Sequence, residues 1–370
     1  MQRRTAFLTT LVLALAACGS TQGASKTQGT GSPSSTSTAA PSSSARLIVV
    51  AEEPAAGYTN APTPVRLMRP DGKEADRLTV KQGARVARAA GGRIFVLGDD
   101  GSLKAIHRDG SVETLGSLGS GQPSGFVVSP DGKRWMWSTF DGNTTVSQVH
   151  LAGDGLAPRV VAQMQAADKS VHAYAWTAGG AFIDHPPPSG MGGYIPFEDS
   201  FGHVDRVDLT TFSTMPAPRG DCGFSDMTPD ETVACLTGSG QNVRGISIIR
   251  NDGTTKAIQL AMPRFAQLGD AFFSRDGQML PVGGSANATD PEQLGTDVIT
   301  TKDGSIKRLA VDGVRPSNEM QGQSWLDDGS LVVFRPDGAA GGPAGVFLVG
   351  PGGKVTQLGG RGTPIGVISG

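Results

Sequence analysis

GFVVSPDGKRWMWS, residues 125–138, reads as a short apolar strand, a four-residue turn and a second apolar strand. DAFFSRDGQMLPVG (270–283) and CGFSDMTPDETVACLTG (222–238) repeat that pattern. A second kind of unit lies between them: LKAIHRDGSVETLG (103–116), ISIIRNDGTTKAIQL (246–260) and DVITTKDGSIKRLAV (297–311). These alternate apolar and polar residues around a central Asp-Gly, the strongest short-range hairpin signal. The two kinds of hairpin take turns along the chain. Two hairpins make a four-stranded antiparallel sheet, and serial sheets of this kind pack as blades around an axis.

The blades fall at spacings of roughly 40–50 residues, as a propeller requires. Blade 2 is the most regular, with strands in 84–92, 93–101, 102–110 and 111–116. Blades 3 to 7 are expected over 125–164, 171–215, 222–260, 269–309 and 322–358. Blade 1 has only three strands, in 46–53, 64–72 and 75–80. A strand, TPIGVIS (363–369), is left over at the C-terminus. The reading is an all-β, seven-bladed propeller closed by the C-terminal strand joining blade 1, with six or eight blades as alternatives. Closure removes edges that would otherwise template aggregation.

The Ser-Pro-Asp-Gly-Lys turn between two apolar runs resembles the repeat of TolB-like, WD-repeat-related bacterial propellers. Blades 2, 4 and 7 depart from it, with AAGG, TAGG and LDDG at the turn. The resemblance implies the fold, and a fold hosts many functions.

Residues 1–17 read as an export signal: Arg3 and Arg4, then an apolar stretch from Ala6 to Leu15, too short to span a bilayer. Leu15-Ala16-Ala17-Cys18 resembles the lipobox of bacterial lipoproteins. That resemblance implies Cys18 as the mature N-terminus, carrying a thioether-linked diacylglycerol and an amide-linked acyl chain, hence a protein lipid-anchored outside the cytoplasm. Several chains anchor stably where one does not. Residues 18–45 are Cys18 followed by Gly, Ser, Thr, Ala, Pro and Gln, with Lys26 as the only charge, the composition of a tether with a reach of roughly 30 Å. The propeller is expected over 46–370.

Without the signal the chain has 30 basic and 34 acidic residues and no basic run. Nucleic-acid binding and charge-driven adhesion to anionic lipid both need clustered Lys or Arg, so both are disfavoured. The 53 Gly and 24 Pro suit a turn-rich all-β body.

No GxSxG, SxxK, HExxH or CxxC is present. Ser129, Asp131, Gly132 and Trp135 approach an Asp box with the spacing one residue off. No cofactor and no metal are expected. Cys222 and Cys235, on neighbouring strands of an exported protein, are expected to form a disulfide. In plain register Cys222 would face a residue near Thr237, so a bulge or diagonal geometry is needed.

Polar groups concentrate in the blade 4 insertion, 183–206. Asp184, His185, Glu198, Asp199, His203 and Asp205 could surround a cation. His185, Tyr194, Phe197, Glu198, Asp199, Phe201 and His203 suit better the lip of a recognition surface on a rigid scaffold. Trp135, Trp137, Trp176 and Trp325 mark blade strands and read as inter-blade core. The function expected is a monomeric, non-catalytic binding module. Its partner would be an envelope protein, a polysaccharide or a small ligand, docked on the loop face of blades 4, 6 and 7. The alternative is a propeller enzyme such as a quinone-dependent sugar dehydrogenase or a lactone or glycan hydrolase.

Overall fold

Two turn devices, each written into a short sequence motif, set the strand lengths. In the Asp-Gly hairpins the aspartate folds back on its own turn. Asp109 Oδ1 accepts the Ser111 amide at 2.9 Å and the Ser111 hydroxyl at 2.6 Å. Asp252 does the same with Thr254, at 2.8 and 2.6 Å. In the Ser-Pro-Asp-Gly hairpins a hydroxyl joins in. Ser129 Oγ donates to Asp131 at 2.5 Å and accepts the Arg134 amide at 2.9 Å, which marks where the next strand starts. Ser274, Asp276 and Met279 repeat these bonds at 2.6 and 2.9 Å. Such side-chain bonds are why Asp and Ser outcompete other residues at turns. The turn needs a left-handed residue, supplied by Gly132 at φ +71°; in blade 5 Glu231 takes that conformation at φ +63°, which costs a residue with a Cβ about 1–2 kcal/mol.

The computed structural model describes residues 46–52, 62–81, 84–119, 125–165, 170–185, 203–220, 222–237, 245–260, 267–269, 271–285 and 294–369. Their strands form seven blades, each antiparallel within itself. From the axis outward, blade 1 is Thr363–Ile368, Leu47–Ala51, Thr63–Met68 and Glu74–Val80. Blade 2 is Ala84–Ala90, Arg93–Gly98, Ser102–His107 and Val112–Ser117. Blade 3 is Gly125–Val128, Arg134–Asp141, Val146–Gly153 and Leu156–Gln165. Blade 4 is His172–Thr177, Gly180–Asp184, Val204–Val207 and Thr214–Pro216. Blade 5 is Phe224–Met227, Val233–Thr237, Gly245–Ile249 and Thr255–Gln259. Blade 6 is Gln267–Gly269, Met279–Ser285, Leu294–Thr300 and Ile306–Arg308. Blade 7 has three strands, Leu331–Arg335, Gly345–Val349 and Val355–Gly359.

The C-terminal strand closes blade 1 as the sequence implies. Leu47 pairs with Ile368, Ile48 with Val367 and Val49 with Gly366; a bulge follows, and Ala51 pairs with Thr363. Gly366 also bridges to Ala89 of blade 2 in parallel. Blade 7 differs from expectation. Its innermost position holds a 3-10 turn, Gln321–Ser324, and Trp325 only bridges to Leu331. The segment MQGQS lacks the apolar alternation that would hold a strand against two neighbouring blades.

Among the described residues, seven large apolar clusters lie in the wedges between successive blades, and Leu294 and Ala339 make a small further contact. All four tryptophans sit in the large clusters: Trp135 and Trp137 between blades 2 and 3, Trp176 between 3 and 4, and Trp325 between 6 and 7. Hydrogen bonds also join the inner segments of neighbouring blades. Arg88 Nε donates to Phe126 O at 3.1 Å, and Ser225 Oγ donates to Ala271 O at 2.7 Å.

Candidate functional site

The axis is where propeller strands converge, and here a segment of the chain crosses it. After the outer strand of blade 6, Thr296 Oγ1 donates to Val314 O at 2.7 Å and Arg315 bridges to Phe334. The chain then reaches three other blades. The Glu319 carboxylate pairs with Arg88 of blade 2. Gln321 turns its amide onto the inner strand of blade 4: Oε1 accepts the Trp176 amide at 3.0 Å and Nε2 donates to Tyr174 O at 3.3 Å. Gln323 Oε1 accepts the Val367 amide of the closing strand at 3.2 Å. Burial, and after it the neighbouring Arg85, push Arg88 down to about 9, so it stays charged beside Glu319 at neutral pH. Gln321 is 5% exposed and sits at φ +48°, a conformation held by its two blade 4 bonds.

Beside this plug a cavity of about 140 Å³ remains, at the end where first and second strands of each blade meet in tight turns. Trp176, Thr177, Asp226, Phe273, Gln323 and Trp325 line it. Asp226 is 2% exposed. Its Oδ1 accepts the Met227 amide at 2.7 Å and its Oδ2 the Phe273 amide of blade 6 at 2.8 Å, and Thr177 of blade 4 bonds to it as well. Burial nevertheless raises its pKa to about 7. One carboxylate therefore ties the inner segments of blades 4, 5 and 6 together and titrates near neutrality.

The opposite end of the blades carries the long connections between second and third strands. The residues framing the blade 4 connection are held together: His185 Nε2 lies 2.9 Å from Asp205 Oδ2, His203 Nε2 lies 2.7 Å from Asp205 Oδ1, and the His185 amide donates to His203 O at 2.9 Å. Asp184 points to the other side of the sheet; its Oδ1 is buried without a partner among the described residues, and burial raises its pKa to about 7. Tyr194, Phe197, Glu198, Asp199 and Phe201, expected on the lip, lie outside the described residues. Among the described residues, no three His, Cys, Asp or Glu side chains are placed to hold a metal ion. Cys18 also lies outside the described residues.

Cys222 and Cys235 are bridged, with Cα atoms 5.6 Å apart. The required bulge is present: Phe224 pairs with Cys235, the register shifts before Asp226, and Gly223 O accepts the Leu236 amide at 2.8 Å. The bridge is local to one hairpin, and chain entropy credits such a loop with about 3 kcal/mol. Reduction should lower the melting temperature by several degrees and leave the β circular-dichroism signal intact. Complete unfolding on reduction would show that the bridge supports more than blade 5.

The histidines and cysteines are visible in the sequence, but Arg88, Glu319, Gln321 and Gln323 act across large sequence separations and are not. Asp226 left one trace, an acid inside the otherwise inward-facing run FSDM.

No protein-family profile and no curated protein matches this chain. Many solved structures resemble it. A putative 6-phosphogluconolactonase from Bacteroides uniformis aligns with a TM-score of 0.52 at 11% identity, over 87% of this chain and 98% of that one. An oligogalacturonate lyase in complex with manganese aligns with a TM-score of 0.50 at 14% identity, over 85% and 84%. TolB from Acinetobacter baumannii aligns with a TM-score of 0.46 at 12% identity, over 88% of this chain and 66% of TolB. At such identities the likeness carries the fold: the chain is a β-propeller.

Proposed function

We propose that this protein is a lipid-anchored, extracytoplasmic propeller that binds a partner at the cell envelope without transforming it. The observation that carries this reading is the filled axis. The plug from Glu319 to Ser324 is fastened to blades 1, 2 and 4, and the cavity beside it measures about 140 Å³. Ligand pockets ordinarily measure about 300–1,000 Å³. The cavity's carboxylate, Asp226, spends both oxygens on backbone amides. The connections that vary most in length leave from the other end, framed in blade 4 by His185 and His203. There the blade 4, 6 and 7 connections would meet an envelope protein, a polysaccharide or a small ligand. The Cys222–Cys235 bridge suits an oxidising compartment outside the cytoplasm.

The catalytic reading rests on Asp226 alone, since a carboxyl titrating near 7 beside a cavity is a general acid–base candidate. Turnover assays on lactones, glycans and quinone-coupled sugars separate the two. The binding reading expects rates equal to buffer; turnover that disappears in Asp226→Asn would replace it with an enzyme. Anchoring has its own test. Cys18→Ala should leave an unprocessed or released protein, and partitioning with membranes like wild type after alkaline washing would contradict the lipid anchor.

A further inference from the structure

The plug that closes the axis opens a space elsewhere. Blade 7 gives up its innermost strand, and the outer strand of blade 6 is only Ile306–Arg308. Between these two blades, at the turn end, lies a groove of about 530 Å³, within the ordinary range for a small organic ligand. Its walls are apolar: Leu309 from blade 6, Leu331 and Val349 from blade 7, and Trp325 from the end of the plug. The Trp325 indole N–H is buried with no partner among the described residues.

The charges at the rim are not evenly satisfied. Asp276 is taken up by the Ser274 hydroxyl and the Gln278 amide, at 2.6 and 3.1 Å. Asp327 faces two guanidiniums, Arg46 at 2.8 Å and Arg275 at 3.7 Å. Arg308 has Asp297 at 3.8 Å. Lys307 is exposed and meets only a neutral acceptor, Pro351 O at 3.4 Å, so its ammonium has no carboxylate among the described residues. An apolar trough with one uncommitted cation at its edge is complementary to a molecule that is apolar along its body and negative at one end. A membrane surface fits less well, because it is flat and is held by several basic residues together.

We propose that the groove between blades 6 and 7 binds a monomeric amphipathic carboxylate, with its aliphatic body along Leu309, Val349 and Trp325 and its carboxylate at Lys307 Nζ. This site lies at the opposite end of the blades from the partner surface proposed above, and neither depends on the other.

The test uses the full exported chain carrying Cys18→Ala, so that no attached acyl chain competes. Dodecanoate, kept below its micelle concentration, is titrated by calorimetry and by tryptophan fluorescence, with Trp325→Phe identifying the reporting indole. The expected result is saturable one-site binding, with a fluorescence change lost in Trp325→Phe. Lys307→Glu should weaken it at least tenfold, and Ala310→Trp, a bulky residue at an exposed groove position, should block it. Dodecanol and dodecyltrimethylammonium should bind at least tenfold more weakly than dodecanoate. No saturable binding, equal affinity in Lys307→Glu, or binding to phosphatidylglycerol vesicles with none to the monomer would each overturn the proposal. Circular dichroism and melting of Lys307→Glu and Ala310→Trp confirm that each variant is folded before its affinity is read.

Discussion

Deleting residues 363–370 abolishes cooperative unfolding: the truncated chain melts broadly or aggregates. The strand removed is the innermost of blade 1 and is paired along its length with Leu47–Ala51. Ile365 and Ile368 belong to the core between blades 1 and 2, and Val367 to the core between blades 7 and 1. Each such side chain contributes about 1.5–3 kcal/mol by burial, and the ladder's hydrogen bonds add about 1 kcal/mol apiece. Together these rival the whole stability of a domain, about 5–15 kcal/mol. The deletion also frees two edges, those of Leu47–Ala51 and of the inner strand of blade 2. A single-residue version tests the same contact. A Cβ on Gly366 would sit 1.8 Å from Ala89 O, so Gly366→Ala must push the closing strand away from blade 2. Urea titration followed by circular dichroism measures both. An unchanged midpoint in the truncated chain would make the tail an ornament.

The second large effect concerns pH. Asp226 has its carboxyl raised to about 7 in the folded protein, from 3.8 for the unperturbed group. Between these values the folded state holds a proton that the unfolded state has released, so stability falls as pH rises from about 4 to 7. At 1.36 kcal/mol per unit the full loss is about 4 kcal/mol. Asp184, raised to about 7 by burial, adds a loss of the same sign over the same window. Asp226→Asn removes the first of these. Its amide cannot accept from both Met227 and Phe273, so the variant should be less stable than wild type near pH 5. Its deficit should shrink or reverse by pH 8. Unfolding free energies from pH 4 to 8 measure this, and parallel profiles for the two proteins would show that Asp226 does not titrate in this range.

Residues that act on near neighbours were legible in the sequence. Asp109, Ser129 and Asp131 fold onto backbone within five positions, so their turns are local motifs. The closing strand was legible by subtraction, since blade 1 lacked one strand and the C-terminus had one to spare. The disulfide was legible with its bulge because two cysteines on one hairpin leave few geometries. Blade 7 departs from the blade period at its inner position, where a 3-10 turn, Gln321–Ser324, replaces a strand. The blade period alone implies a strand there, while Gln321 and Gln323 stand where β-branched residues would favour one. The axial site was largely hidden for a physical reason. Gln321 meets Tyr174 and Trp176 from 147 and 145 residues away. No spacing rule announces a contact that only ring closure creates. The raised pKa of Asp226 likewise depends on being enclosed by blades 4 and 6.

The proposed function places recognition at the insertion end and gives the axis a structural role. A photo-crosslinking residue placed in intact cells at His203, beside the blade 4 connection, tests it against one at Asp230, in the tight turn of blade 5 at the other end. A discrete, saturable adduct is expected from position 203 and none from position 230. A discrete adduct from position 230 with none from 203 would contradict it.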